Sequence, residues 1–223
     1  AFKQWKTMTA IERCRILQRG ADAIDADIER IARVLTMENG KPLGESRAEI
    51  AFSADALRWY AEEGKRAYGR ITPGRIANQR QIVIKEPVGP TVAFCAWNFP
   101  ASNVIRKIGG ALGAGNSLIL RTAEETPGTA VAFARCLEKA GLPPGVLQLV
   151  FGVSRDVSAH LMASPVIKKV SLTGSTAVGK LLLRQAADTL KRGTMELGGH
   201  APVIVHHDAD FDLAVNTLVA TKY

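Results

Sequence analysis

Between residues 9 and 38 apolar side chains recur at helical spacing, with Ile16, Ala23, Ile24, Ile28, Ile31 and Leu35 along one stripe. Thr9 and Glu12 form a T-x-x-E capping signature ahead of it, and "ENGKP" closes it with Gly40 and Pro42. The pattern predicts one long amphipathic helix. A second is predicted near 43–67, with Ile50, Leu57 and Trp59 on its apolar side. The texture changes at 69–89, where turn residues lead into Ile82, Val83 and Ile84, as in an extended arm or hairpin. From residue 90 the short apolar runs "TVAFCAW", "SLILR", "VLQLV" and "KKVSLTG" alternate with helical stretches near 102–114, 127–140, 155–163 and 176–190. Strands alternating with helices predict an α/β fold, a parallel sheet with helices on both faces, preceded by a helical N-terminal region. Ligands bind such sheets beyond the carboxyl ends of the strands, so the loops there are where chemistry is expected.

Composition narrows the function classes. Hydrophobic residues make up 47% and charged residues 22%, enough for a sizeable core under an ordinary surface. No apolar run approaches the roughly 18 residues of a membrane span. The opening "AFKQWKTMTA" lacks the apolar core of a signal peptide, so a cytoplasmic protein is expected. It also lacks an initiator Met, as a trimmed or partial chain would. The net charge of +8 raises a nucleic-acid reading. Residues 1–86 carry 16 basic and 12 acidic groups and residues 87–223 carry 13 and 9, so each part is +4 with the signs interleaved. Neither part has a basic stripe or aromatic platform, and no nucleic-acid partner is expected. Three widely spaced cysteines, Cys14, Cys95 and Cys136, make neither a disulfide framework nor a zinc set.

Three strand-exit loops carry candidate chemistry. In "AWNFP" (96–100), Asn98 is either a turn former or an amide that donates to a developing oxyanion. In "TGSTAVGK" (173–180), Ser175 is either a helix cap or part of an anion-binding helix start. Gly174 to Lys180 also matches the beginning of a nucleoside-triphosphatase loop, but Leu181 stands where magnesium needs a hydroxyl. The glycine run "GGALGAG" (109–115) has the wrong spacing for a dinucleotide fingerprint and lies in a helical stretch. In "TMELGGHAP" (194–202), Glu196 is either turned to solvent beside a Gly-Gly turn or a partly desolvated carboxylate suited to general-base work.

Taken in order, "WNFP", "LRTAEETP" (120–127), "LTGSTAVG" and "MELGGHAP" resemble the aldehyde dehydrogenase superfamily across almost the whole chain. "TMENGKPLGESRAEI", "WYAEEGKRAYG" and "NVIRKIGGALGAGN" resemble its succinate-semialdehyde branch in particular. The resemblance implies a Rossmann-like cofactor domain over 90–196, N-terminal helices over 1–68, an oligomerisation arm over 69–89, and the start of a catalytic domain over 197–223. It implies oxidation of a small aldehyde, such as succinate semialdehyde, through a cysteine thioester.

By position, Asn98 would then hold the oxyanion and Glu196 would activate the hydrolytic water. Trp97, Gly152, Gly174, Ser175, Val178 and Leu197 would bind the cofactor, with Arg121 and Glu124 at the adenine ribose. A carboxylate at 124 would accept from both ribose hydroxyls and repel a 2′-phosphate, so NAD is expected over NADP. Arg106 would hold a substrate carboxylate, against the alternative of a surface arginine. Ala96, Arg121 and His200 depart from the usual Pro, Lys, and Lys or Asn. The family's catalytic cysteine lies beyond the E-L-G-G motif, and no cysteine follows Glu196. The 223 residues alone are therefore expected to be inactive, and the whole enzyme to be a homodimer or homotetramer. The alternative is a non-catalytic dinucleotide-binding domain or scaffold.

Overall fold

The computed structural model describes residues 1–222. Its N-terminal region opens with a helix that periodicity is too short to reveal, α1 (Phe2–Thr7). Trp5 anchors it, fully buried, its indole N–H donating to the Leu112 carbonyl at 3.1 Å. The expected long helix is two, α2 (Ala10–Ala26) and α3 (Ile28–Asn39). The Thr9–Glu12 capping box forms as expected at the first. Asp27 breaks the pair by leaving helical dihedrals (φ −112°, ψ 15°), and its carboxylate is held by Arg30. The apolar stripe runs through this break unchanged, because Ile24 and Ile31 on either side are both fully buried. Gly40 then ends α3 in the left-handed region (φ 86°), returning its N–H to Thr36. Helix α4 (Leu43–Lys65) follows, with Ile50 and Leu57 buried as expected. Trp59 is not on its buried face; it is 59% exposed.

Residues 69–89 contain an antiparallel hairpin, β1 (Arg70–Pro73) with β2 (Arg80–Val83), its side chains largely exposed. The expected strands and helices then follow in turn: β3 (Thr91–Phe94), α5 (Pro100–Gly113), β4 (Leu118–Arg121), α6 (Pro127–Lys139), β5 (Leu147–Leu149), α7 (Ser154–Ala163), β6 (Lys169–Gly174), α8 (Thr176–Ala187) and β7 (Arg192–Leu197). Helix α9 (Phe211–Lys222) comes last. The five later strands form one parallel sheet in the order β5-β4-β3-β6-β7. Strand alternation separates two cores. Ala93, Cys95, Leu118 and Leu120 face α5 and α6, against which α2, α3 and α4 pack as an outer layer. Val92, Phe94, Val170 and Leu172 face the other way, toward Leu182 and Ala186 of α8. On β6 and β7 the first of these faces is polar, carrying Lys169, Ser171, Arg192, Thr194 and Glu196.

Candidate active site

The sheet order brings the three strand-exit loops together. Strands β3, β6 and β7 are neighbours, with Phe94 beside Leu172 and Leu172 beside Met195, so their carboxyl ends lie at one edge. With strands about 4.8 Å apart, the Asn98 turn and Glu196 emerge within roughly 10 Å of each other laterally. The start of α8 lies between them. Arg121 ends β4 on the other side of β3, beside Phe94. Every site residue expected from the sequence except Arg106 lies at this edge.

Asn98 is exposed in the turn before α5. Its Oδ1 accepts from the Asn103 amide at 3.4 Å, which leaves its own NH2 group to donate. The turn is held from outside the sheet, by residues the sequence did not single out. Asn39 donates to the Trp97 carbonyl at 3.0 Å, and Lys41 Nζ lies 4.4 Å from the centre of the Phe99 ring. Glu49, buried on α4, accepts the Ala101 and Ser102 N–H groups at 3.0 and 2.8 Å and pairs with Lys41 at 2.5 Å. Glu38 does the same for α6, accepting from Gly128 and Thr129 N–H at 2.7 and 2.9 Å. Two of the sheet's helix starts are thus already filled by the protein's own carboxylates.

The start of α8 is different. Ser175 accepts from Val178 N–H at 3.3 Å, the first turn has no acidic residue, and residues 175–178 are exposed. The first N–H groups of a helix have no carbonyl within it, so this start suits a bound phosphate group. Gly179 lets α8 lie close to β7, since a Cβ there would stand 2.8 Å from Leu197 Cδ2. Leu197 is therefore half-buried under α8, while Glu196 points to the opposite, exposed face. Lys107 shares its side of the sheet, donating to Ser171 Oγ at 2.9 Å. Burial pushes the Lys107 ammonium down, and the Glu196 carboxylate opposes that shift.

At the carboxyl end of β4, Arg121 is nearly buried and donates to Glu124 and, at 3.3 Å, to the Gly152 carbonyl. Glu124 Oε1 also accepts from Ser154 Oγ at 3.3 Å. One of the carboxylate oxygens expected to meet ribose is thus committed within the protein. Gly152 presents its carbonyl from a left-handed conformation (φ 137°) that a side chain would strain. The open α8 start, the Glu124 carboxylate and exposed Trp97 form a donor and acceptor set that fits a dinucleotide.

Arg106 stands apart, two turns into α5. It is exposed, its guanidinium 5.4 Å from the Phe52 ring, and no carboxylate among the described residues pairs with it. It borders an open groove of about 380 Å³ with Phe52, Trp59 and Tyr60. A second groove of about 340 Å³ reaches from Arg106 and Lys107 to Thr91, Lys169 and Arg192, the first residues of their strands and so the far ends from Asn98. Cys95 lies on the buried side of β3, and burial pushes its thiol up to about 12, which removes it as a nucleophile at neutral pH. Among the described residues there is no cluster suited to a metal ion and no helix long and apolar enough to cross a membrane.

Residues 1–223 match the model of the aldehyde dehydrogenase family. The chain is 51% identical to the 4-(hydroxymethyl)benzenesulfonate dehydrogenase of Comamonas testosteroni over 223 residues, all of this chain and 47% of that protein. It is 44% identical to the NADP(+) succinate-semialdehyde dehydrogenase of Escherichia coli, again over its whole length and 46% of the relative. The chain thus spans about half the length of the curated relatives it matches. The crystal structure of succinate-semialdehyde dehydrogenase from Burkholderia pseudomallei superposes with a TM-score of 0.97 at 47% identity, over 100% of this chain and 46% of that one. A parallel sheet that gathers the W-N, G-S-T and E-L-G-G motifs at one edge, matched along its whole length, makes this chain a member of the aldehyde dehydrogenase family.

Proposed function

We propose that this chain is the cofactor-binding part of an enzyme that oxidises an aldehyde bearing a remote anionic group to the carboxylic acid, with NAD(P) as oxidant. The observation that carries the reading is the convergence of Asn98, the open α8 start and Glu196 on the carboxyl edge of adjacent strands. Residues 90–196 form the cofactor domain, braced by helices within 1–68. The hairpin region 69–89 supplies an oligomerisation arm, and 197 onward begins the catalytic part.

Each residue has a task that its placement allows. Gly174, Ser175 and Val178 surround the start of α8, whose remaining N–H groups face the pyrophosphate. Glu124, held by Arg121 and backed by Gly152, meets the adenine ribose, and Trp97 and Leu197 flank the cofactor toward its nicotinamide end. The Glu124 carboxylate favours NAD, while Arg121 beside it keeps NADP within reach; the E. coli relative is named for NADP(+). When bound, the nicotinamide supplies the hydride acceptor. A thiolate that none of the three buried cysteines provides adds to the aldehyde carbon. Asn98 NH2 donates to the carbonyl oxygen as negative charge develops there. After hydride loss, Glu196 takes a proton from the water that attacks the thioester, and the acid and thiolate separate. Arg106, which pairs with no carboxylate among the described residues, binds the substrate's carboxylate or sulfonate.

The test uses the complete enzyme, with NAD and NADP, against aldehydes carrying a carboxylate, a sulfonate or no charge. Glu196→Gln is expected to lose at least about 100-fold in kcat and to accumulate a thioester visible by mass spectrometry. Arg106→Ala is expected to raise KM for the anionic aldehydes only. Unchanged turnover in Glu196→Gln would refute the base assignment, and equal losses on charged and uncharged aldehydes would refute that of Arg106.

A further inference from the structure

Lys41 and Glu49 are buried charges with a purpose that their packing does not explain. Their side chains are only 11% and 6% exposed. A buried ion pair of this kind is weak evidence for stability, because apolar residues of similar volume usually serve as well. Here the pair does more than neutralise itself. Glu49 Oε1 takes the first two free N–H groups of α5, directly after Phe99 and Pro100. Lys41 lies over the Phe99 ring, and Asn39, two residues before it, holds the Trp97 carbonyl. The residues on both sides of Asn98 are therefore gripped by one short segment, and the helix that follows is fixed by the same carboxylate. Asn98 itself is exposed, with Asn103 as its partner at 3.4 Å. Its orientation depends on the turn that carries it.

We propose that Lys41 and Glu49 are positioning residues for the proposed reaction, acting through Phe99 and the start of α5 to aim the Asn98 amide at the developing oxyanion. The inference rests on the reading of Asn98 as oxyanion donor. Displacing a catalytic group by about 1 Å can cost as much as 100-fold in rate. Loosening the grip should lower kcat and leave the cofactor site at α8 and Glu124 untouched.

The experiment is a double-mutant cycle in the complete enzyme, measuring kcat, aldehyde KM and cofactor Kd for Lys41→Met, Lys41→Arg, Phe99→Leu and Asn98→Ala, alone and combined. Lys41→Met is expected to lose roughly 10- to 100-fold in kcat, with cofactor Kd changed by less than about twofold, and Lys41→Arg to recover most of the rate. In the Asn98→Ala background the Lys41→Met loss should vanish, because the group being aimed is gone. A loss that persists at full size in that background overturns the inference, since the pair would then be acting generally on the fold. If Asn98→Ala alone turns over at the parent rate, the oxyanion reading fails first and this inference with it. Phe99→Leu leaves the buried pair intact and changes a half-exposed ring, so it reads the same coupling where Lys41→Met does not fold. It too should lose kcat only when Asn98 is present, and a loss independent of Asn98 counts against the proposal.

Discussion

Gly109 and Gly110 are adjacent on α5, yet adding one methyl group to each should move stability in opposite directions. A Cβ at Gly109 would stand 2.5 Å from Tyr60 Cδ2, 2.8 Å from Cγ and 2.9 Å from Cβ. The last of these is fixed to the α4 backbone and cannot swing away, so α4 and α5 must separate. A Cβ at Gly110 meets only Tyr60 Cε1 at 3.7 Å, an ordinary contact. Both residues have helical backbones, where Ala is worth about 1 kcal/mol over Gly. Overpacking a tight interface costs about 1–3 kcal/mol. Gly110→Ala should therefore gain about 0.5–1 kcal/mol. With three Tyr60 atoms under 3.0 Å, one of them fixed to the backbone, Gly109 sits in the upper part of that range, about 2–3 kcal/mol, so Gly109→Ala should lose about 1–2 kcal/mol once the propensity gain is subtracted. Urea unfolding followed by tryptophan fluorescence, with the slope checked to be constant, measures both. If Gly109→Ala is as stable as the parent, or Gly110→Ala is less stable by more than about 1 kcal/mol, close α4–α5 approach is not why these glycines are there.

Two further outcomes follow from the helix starts. Ser175→Asp should keep the α8 cap, since Asp caps as well as Ser, and should weaken NAD binding more than about tenfold because a carboxylate would face the pyrophosphate. Calorimetric titration beside a thermal melt separates the two effects, and unweakened binding would place the phosphates elsewhere. Glu12 is held below the usual carboxylate range by the Thr9 N–H and hydroxyl. A depressed carboxyl stabilises the fold above its unfolded value and loses that contribution as pH falls through its folded value. Glu12→Gln should therefore be slightly less stable than the parent at neutral pH, with the gap closing in acid; a gap that is flat with pH refutes it.

What could be read from the sequence was local along the chain. The βα alternation, the capping box, the stop at Gly40 and the three strand-exit motifs each depend on residues a few positions apart, and each is in place in the structure. The division of the first helix at Asp27 was invisible because burial continues across it. The "GGALGAG" run could only be rejected as a phosphate loop, since the reason for Gly109 and Gly113, close approach to Tyr60, lies on another helix.

The same distinction governs the candidate site. Asn98, Ser175 and Glu196 announced themselves through the motifs around them, but not that they share an edge; that needed the order β3-β6-β7. Glu49 meets the start of α5 from 52 residues away, and Glu38 meets α6 from 90. Neither carries a local mark distinguishing it from a surface acid. A charge becomes a clamp only when folding desolvates it against a particular pair of N–H groups, and that decision belongs to the tertiary structure alone.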